Sequence, residues 1–295
     1  MPDHDSSGKR TRRTRPFIPL VSLVFDFDLT LATHSLDAIT QCWGITKDEW
    51  KERFDEPLGT GWDEILRHGR ALIDAGEAMG RPMSSDLLRE AAGNVRLFEG
   101  VLDMPDRLRA VARDVHPKVG VEFVVLSSGF AELISATPIA RAFDRIYCST
   151  YHFEHQGSDG EYGRAMCMKR MVAHAEKALY LQAHAKGLSV DDANGPEHAG
   201  RPVAPESMHV PFEQMIYCGD GESDLQAFGF IEKEGGRAIA VAGDGTFAPE
   251  NQTRAQRVEN IAPPSYSADG ELMRTLEHAV RAAASIAAMR ALGER

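Results

Sequence analysis

Two aspartates close an apolar run near the start of the chain. In "VFDFDLT", residues 24 to 30, Asp26 and Asp28 stand two positions apart. Along a strand, residues i and i+2 point the same way, so both carboxylates can address one ligand just past the strand end. A second acidic pair, Asp220 and Asp224, follows another apolar run in "YCGDGESD", residues 217 to 224. Gly219 and Gly221 suit a tight turn that brings backbone close to a ligand. If the two strands are neighbours, four carboxylates meet in one crevice and need a cation to offset them. Carboxylates, a backbone carbonyl and water are hard oxygen donors, which favour Mg²⁺. A third apolar run ends in "VVLSSGF". There Ser127 and Ser128 offer hydroxyl and backbone N–H donors, and Gly129 admits a close approach, a cradle for phosphoryl oxygens. A lysine is expected nearby to balance the charge of a transferring group.

These residues need a scaffold that presents several strand ends together. Short continuous apolar runs at 20–25, 121–126, 145–149, 215–218 and 238–241 read as parallel strands covered on both faces. Helical stretches separate them, so the expected fold is α/β, a doubly wound, Rossmann-like parallel sheet with its sites at the C-terminal strand ends. Residues 34–94 interrupt the alternation. They are rich in helix formers, with Trp43, Trp50, Phe54, Trp62, Ile65, Leu66 and Leu72 as apolar anchors. They read as a small helical cap inserted after the first strand, with its tryptophans as core. The α/β core then comprises 16–33 and 95–295. A hairpin is expected over 151–163, a long surface loop over 188–211, and a closing helix from Gly270 to Leu292. "GDG" at 243–245 lacks a later aspartate and reads as a turn. His152 and His155 lack a third ligand and read as surface residues.

The chain has 295 residues, 43% of them hydrophobic and 26% charged, the composition of a globular protein. Its net charge of −11 argues against nonspecific binding to nucleic acid or anionic membrane. Cys42, Cys148, Cys167 and Cys218 show no paired spacing, which fits a reducing, cytoplasmic compartment rather than a disulfide framework or a zinc site. Arg12, Arg13 and Arg15 precede an apolar run, as in a twin-arginine export signal. That run is short, contains Pro19, and leads straight into Asp26 with no small-residue cleavage site. Residues 1–15 are therefore expected to form a disordered basic tail.

"DFDLT", "LSSGF" and "GDGESD", in that order and each after an apolar strand, resemble the motifs of the haloacid dehalogenase superfamily, in particular its phosphoserine-phosphatase-like branch. The resemblance spans roughly residues 20 to 245, and the insert falls where that branch carries a helical cap. The resemblance implies a phosphomonoester hydrolase. Asp26 would attack phosphorus to form an aspartyl-phosphate, and Asp28 would protonate the leaving oxygen and then activate water. Asp26, the backbone carbonyl of Asp28, and Asp220 would bind Mg²⁺, with Asp224 orienting metal-bound water or the lysine. Ser127 and the lysine would hold the phosphoryl group, beside Ser128 and Gly129. For that lysine the resemblance points to Lys177, with Lys169 and Lys186 as rivals. Thr30 would tie down the loop after the strand. An acid at position 28 favours phosphate ester cleavage over displacement of halide. A dehalogenase or phosphotransferase of the same fold and a catalytically silent scaffold that binds phosphorylated ligands are the alternatives.

In the phosphoserine branch an acidic cap residue is expected soon after the first motif. "LATHSLDAIT" offers His34 and Ser35 before Asp37 instead. Arg67 or Arg70 would meet a substrate carboxylate. The expected partner is thus a small phosphorylated metabolite, enclosed by the cap.

Overall fold

A computed structural model describes residues 15–156, 161–242 and 258–293. Seven strands form one sheet: β1 (Leu20–Phe25), β2 (Gly120–Phe130), β3 (Arg145–Gln156), β4 (Glu161–Arg170), β5 (Met215–Gly219), β6 (Arg237–Val241) and β7 (Asn260–Ala262). Their order across the sheet is β4-β3-β2-β1-β5-β6-β7. All neighbours are parallel except β3 and β4, which run antiparallel. The five strands expected from the sequence are present, and the expected hairpin is the β3–β4 pair. Its turn, 157–160, lies outside the described residues, as do the "GDG" stretch and residues 1–14. Arg15, placed in the expected tail, forms an ion pair with Glu213.

The central strand β1 is flanked by β2 and β5. Its residues Val21 to Phe25 are buried without exception, because helices cover both faces of the sheet. One face packs the helices Met104–Val115 and Glu271–Leu292, where Leu108, Leu272, Leu276 and Val280 meet Leu23, Phe25 and Phe123. The other packs Lys177–Ala185 and Leu225–Lys233, where Tyr180, Leu181 and Phe228 meet Val24, Val124 and Tyr217.

Between β1 and β2 the chain is helical, with helices Ser35–Gln41, Glu64–Ala78 and Ser85–Ala92 and a helical stretch over 47–58. Local signals start these helices. Thr46 and Glu49 form a reciprocal capping box, and the Asp63 and Ser84 side chains accept from first-turn amides. Trp43 and Trp50 are buried as expected, but Trp62 is 46% exposed and packs into no core. The β3–β4 hairpin props this segment: Tyr151 donates its hydroxyl to the Gly69 carbonyl at 3.0 Å, and Ala165 N–H to the Met83 carbonyl at 2.6 Å. The stretch 188–211 is less loop-like than expected. It contains a short helix, Gly195–Gly200, and buries Val190, Ala199 and Val210.

The loop after β1 is anchored from a distance. Thr30 is buried, but its carbonyl does the anchoring, accepting the Tyr266 hydroxyl at 2.9 Å. Tyr266 is itself held by its N–H on the Glu99 carbonyl at 2.8 Å. The neighbouring Gly100 has φ +77°, and a Cβ there would lie 2.3 Å from the Tyr266 carbonyl oxygen. Gly100→Ala is expected to destabilise the protein by more than about 2 kcal/mol in urea unfolding, since backbone would have to move. Tyr266→Phe, which deletes one buried hydrogen bond, is expected to cost about 1 kcal/mol. Equal effects of the two would show that the close approach at Gly100 is not a constraint.

Candidate active site

Asp26 follows the last residue of β1, Asp220 follows the last residue of β5, and Ser127 lies near the end of β2. Because β2, β1 and β5 are adjacent, the three strand ends bring these side chains to one crevice. Asp26 N–H donates to the Cys218 carbonyl, extending the β1–β5 pairing by one residue. The chain then turns sharply. Leu29 has φ +56°, a left-handed conformation unusual for a side-chain-bearing residue. That turn sends the chain back so that Ser35 holds Asp28, with its N–H at 2.7 Å and its hydroxyl at 2.8 Å on the two carboxylate oxygens. His34 Nδ1 lies 3.5 Å from the same carboxylate.

Lys177 opens the helix Lys177–Ala185 and is completely buried. Its Nζ lies 2.6 Å from Asp224 Oδ1 and 3.0 Å from Asp26 Oδ2. Its rivals are elsewhere: Lys186 donates to the Arg201 carbonyl at 2.8 Å, and Lys169 is exposed. Burial alone would pull the Lys177 ammonium down, but the Asp224 and Asp26 carboxylates outweigh it and hold the proton firmly. Asp224 Oδ1 also accepts the Tyr217 hydroxyl at 2.5 Å. Only glycine fits at 219, since a Cβ there would sit 2.1 Å from Asp224 Oδ2. Asp26 Oδ1 accepts the Phe27 N–H at 2.7 Å, so both Asp26 oxygens are oriented.

Carboxylate oxygens of Asp26, Asp220 and Asp224 lie within 4.8 Å of one another. One buried ammonium serves this trio, so negative charge is in excess. Burial, then the charges of Asp26 and Asp224, push the Asp220 carboxyl up to about 8. Burial, opposed by Lys177, leaves Asp26 at about 6. The donor set is hard oxygen throughout, and Asp224 Oδ2 is buried with no hydrogen-bond partner among the described residues. A divalent cation fits both facts.

A cavity of about 460 Å³ opens over this floor. Asp26, Asp28, Ser127, Ser128, Gly129 and Asp220 line its base. Ser127 Oγ accepts the Gly129 N–H at 3.1 Å, whereas the Ser128 hydroxyl is turned to the Val172 carbonyl at 2.8 Å. Helices Ser35–Gln41 and Glu64–Ala78 supply much of the wall through Leu36, Ile39, Ile65 and Leu72, and Phe130 adds to it. Arg67 and Arg70, expected to face a substrate, do not line it. Arg67 lies against both oxygens of fully buried Asp55 at 3.1 Å, and Arg70 pairs with Asp74 at 2.6 Å. Those carboxylates neutralise them locally, so neither is available as an anion receptor. The polar wall is instead His34, Glu64, His68 and His174. Isolated histidines carry no spacing signal, so nothing in the sequence singled out His68 or His174. Ser35 stands out in the sequence only as one of the residues placed where an acidic cap residue is expected.

A family model described as haloacid dehalogenase-like hydrolase matches residues 23–229. A Borreliella burgdorferi protein described as uncharacterized is 20% identical over 227 residues, 71% of this chain and 77% of that one. Among solved structures, a haloacid dehalogenase family hydrolase of Salmonella enterica subsp. enterica serovar Typhi has a TM-score of 0.54 at 15% identity, covering 89% of this chain and 71% of that one. A substrate-bound phosphoserine phosphatase complex has a TM-score of 0.52 at 15% identity, covering 88% of this chain and 97% of that one. A probable phosphoserine phosphatase from Vibrio cholerae has a TM-score of 0.53 at 13% identity, covering 94% of this chain and 68% of that one. At these identities the structural likenesses carry the fold.

The crowded carboxylates set a pH dependence. Unfolded, Asp26 and Asp220 would titrate near 3.8, so between about pH 4 and 8 the folded protein holds protons that the unfolded chain releases. Without divalent cations, stability is therefore expected to fall as pH rises through that window, by on the order of a few kcal/mol. Calorimetry from about pH 5 to 8 should show Tm declining, with a shallower slope in Asp220→Asn. An equally steep slope in that variant would mean that the carboxylate crowding is not its source.

Proposed function

The chain belongs to the haloacid dehalogenase-like hydrolase family, and within it we propose that this protein is a Mg²⁺-dependent phosphatase acting on a small phosphomonoester through an aspartyl-phosphate. The observation that carries the reading is the Lys177 ammonium bridging Asp26 and Asp224 at the base of a cavity that also exposes Ser127 and a separately anchored Asp28. The phosphoserine phosphatases among the similar solved structures agree with it.

Asp26 and Asp220, with the Asp28 backbone carbonyl, would hold Mg²⁺, and Asp224 would support it while fixing Lys177. When bound, the ion offsets the charge gathered on the phosphoryl oxygens. The remaining work falls to the chain. An Asp26 carboxylate oxygen attacks phosphorus while the bond to the leaving alcohol oxygen breaks. Asp28, as the general acid, gives a proton to that oxygen. Water then attacks the phosphorus of the acyl phosphate, Asp28 takes its proton, and phosphate leaves with Asp26 restored. The two Ser35 hydrogen bonds keep Asp28 aimed across these steps. Ser127 Oγ would hold a phosphoryl oxygen, and the Lys177 ammonium, buried behind Asp26 rather than lining the cavity, would offset the charge through the carboxylates it touches. An acid anchored at position 28 suits ester cleavage, where a leaving oxygen needs a proton, and halide loss has no use for it.

No arginine or lysine lines the cavity among the described residues. Its wall is apolar with histidines and one glutamate, which supports an uncharged or cationic organic group on the substrate rather than a second anion. The helical insert acts as the cap that encloses it. A cytoplasmic location belongs to the same reading, in keeping with four free cysteines. Asp26→Asn should lower phosphate release by roughly 10³-fold or more, and Asp28→Asn by roughly 10² to 10⁴-fold, both with unchanged circular dichroism. The assay is phosphate release from a phosphomonoester panel with Mg²⁺ and with chelator. Full activity in Asp26→Asn, or equal turnover in chelator, would overturn the proposal.

A further inference from the structure

A second cluster of ligand-type side chains sits on the same helix face as Lys177, well away from the crevice. Glu122 on β2 is 8% exposed, and two imidazoles converge on its carboxylate. His184 Nε2 lies 2.8 Å from Oε1, and His209 Nε2 lies 3.1 Å from Oε1 and 2.9 Å from Oε2. Ser22, the register partner of Glu122 on β1, places its Oγ 2.9 Å from His184 Nε2. Ser22 precedes Asp26 by four residues, so about 13 Å of strand separates this cluster from the catalytic floor.

We propose that Glu122, His184 and His209 form a binding site for a borderline transition-metal dication, with Zn²⁺ as the reference ion. Three features support it. Two imidazoles and one carboxylate are a donor set that Zn²⁺ takes with a fourth position left for water or another oxygen. Both rings present the same nitrogen, Nε2, to one point, and one ligand atom from each of the three residues lies within 4.8 Å of the others. The rings are also spaced for it. Two imidazoles on one tetrahedral ion, with Zn–N bonds of about 2 Å, have centroids about 5 Å apart, and here the separation is 5.4 Å at 76°. His209 is 30% exposed on its side chain, which gives the ion an entry path. Nitrogen donors separate this site from the all-oxygen crevice, which prefers Mg²⁺.

The three ligands come from strand β2, the helix Lys177–Ala185 and the loop before β5. A metal there would tie all three together and brace, two turns along, the helix whose first residue is Lys177. The site stands independently of the phosphatase reading.

Co²⁺ is the probe, added to the intact protein with Mg²⁺ in excess to occupy the acidic crevice. Low-coordinate Co²⁺ with nitrogen ligands absorbs strongly in the visible, unlike six-coordinate Co²⁺ on oxygens. Wild type and Asp220→Asn should each show this band saturating at one equivalent, and His209→Gln should lose it. Competing Zn²⁺ should abolish the band and raise Tm in wild type but not in His209→Gln. His209→Gln changes a partly exposed loop residue, and its circular dichroism and its phosphate release in Mg²⁺ should match wild type. No band in wild type, or a band lost in Asp220→Asn and kept in His209→Gln, would show that the cluster is a hydrogen-bonded triad only. Should His209→Gln fail to fold, His209→Ala and the Asp220→Asn spectrum decide the question in its place.

Discussion

One buried ammonium between two buried carboxylates constrains the rest of this structure. Lys177 is wholly removed from water, and so is Asp224, while Asp26 is nearly so. Separating any of the three from the others would leave a desolvated charge unpaired, at a cost of several kcal/mol. The pairing thus fixes the spacing of the end of β1, the turn after β5 and the start of the helix Lys177–Ala185. Tyr217 and Gly219 exist in this arrangement to let Asp224 reach inward, the first by a hydrogen bond and the second by lacking a side chain. A charge cluster that is stable as a pair becomes strained as a trio. Asp220 adds a carboxylate with no cation of its own among the described residues, and burial beside two other carboxylates raises its affinity for a proton.

Sheet topology explains why such a cluster can form at all. β1 emerges from the centre of the sheet, and the chain places β2 on one side and β5 on the other. The loops after these strands diverge to different helices, leaving a crevice at their carboxyl ends. Three apolar strands of different sequence position thereby deliver Asp26, Ser127 and Asp220 to one place. The helical insert leaves from that same point, so the wall of the cavity and its chemical floor are joined through the turn at Leu29 and the anchor at Thr30. The floor is held by charge and hydrogen bonds of fixed geometry. The wall is mostly apolar side chains, whose packing tolerates exchange. On the proposed reading, the strands set the reaction type and the insert sets substrate choice.

This division also accounts for what could be read from the sequence. Parallel strands buried on both faces appear as continuous apolar runs, so β1, β2, β5 and β6 stand out, and with them the acidic residues that follow β1 and β5. β7 does not, because three residues beginning with Asn260 carry no pattern. β4 is obscured by polar residues and by shifts in its register with β3. Lys177 belongs to a helix whose other first-turn residues are ordinary, and its burial is a tertiary fact. Arg67 and Arg70 look like substrate contacts only until their partners are known. Asp74 lies one turn from Arg70, a pairing the spacing alone allowed, but Asp55 reaches Arg67 from a separate helical stretch. Trp62 shows the same limit, since a large apolar residue in a helical region need not be core.

The helix Lys177–Ala185 links the two chemically distinct regions of the molecule. Its first residue is buried among the carboxylates of the crevice, and its eighth, His184, is buried against Glu122. Both ends are thus pinned by charged or strongly polar contacts, while Tyr180 and Leu181 between them fill the core. A helix held this way cannot slide or rotate without breaking a contact at each end. The position of Lys177 Nζ, on which the orientation of both Asp26 and Asp224 depends, is accordingly set from both ends of the helix, by the carboxylates it touches and by the His184–Glu122 contact two turns away.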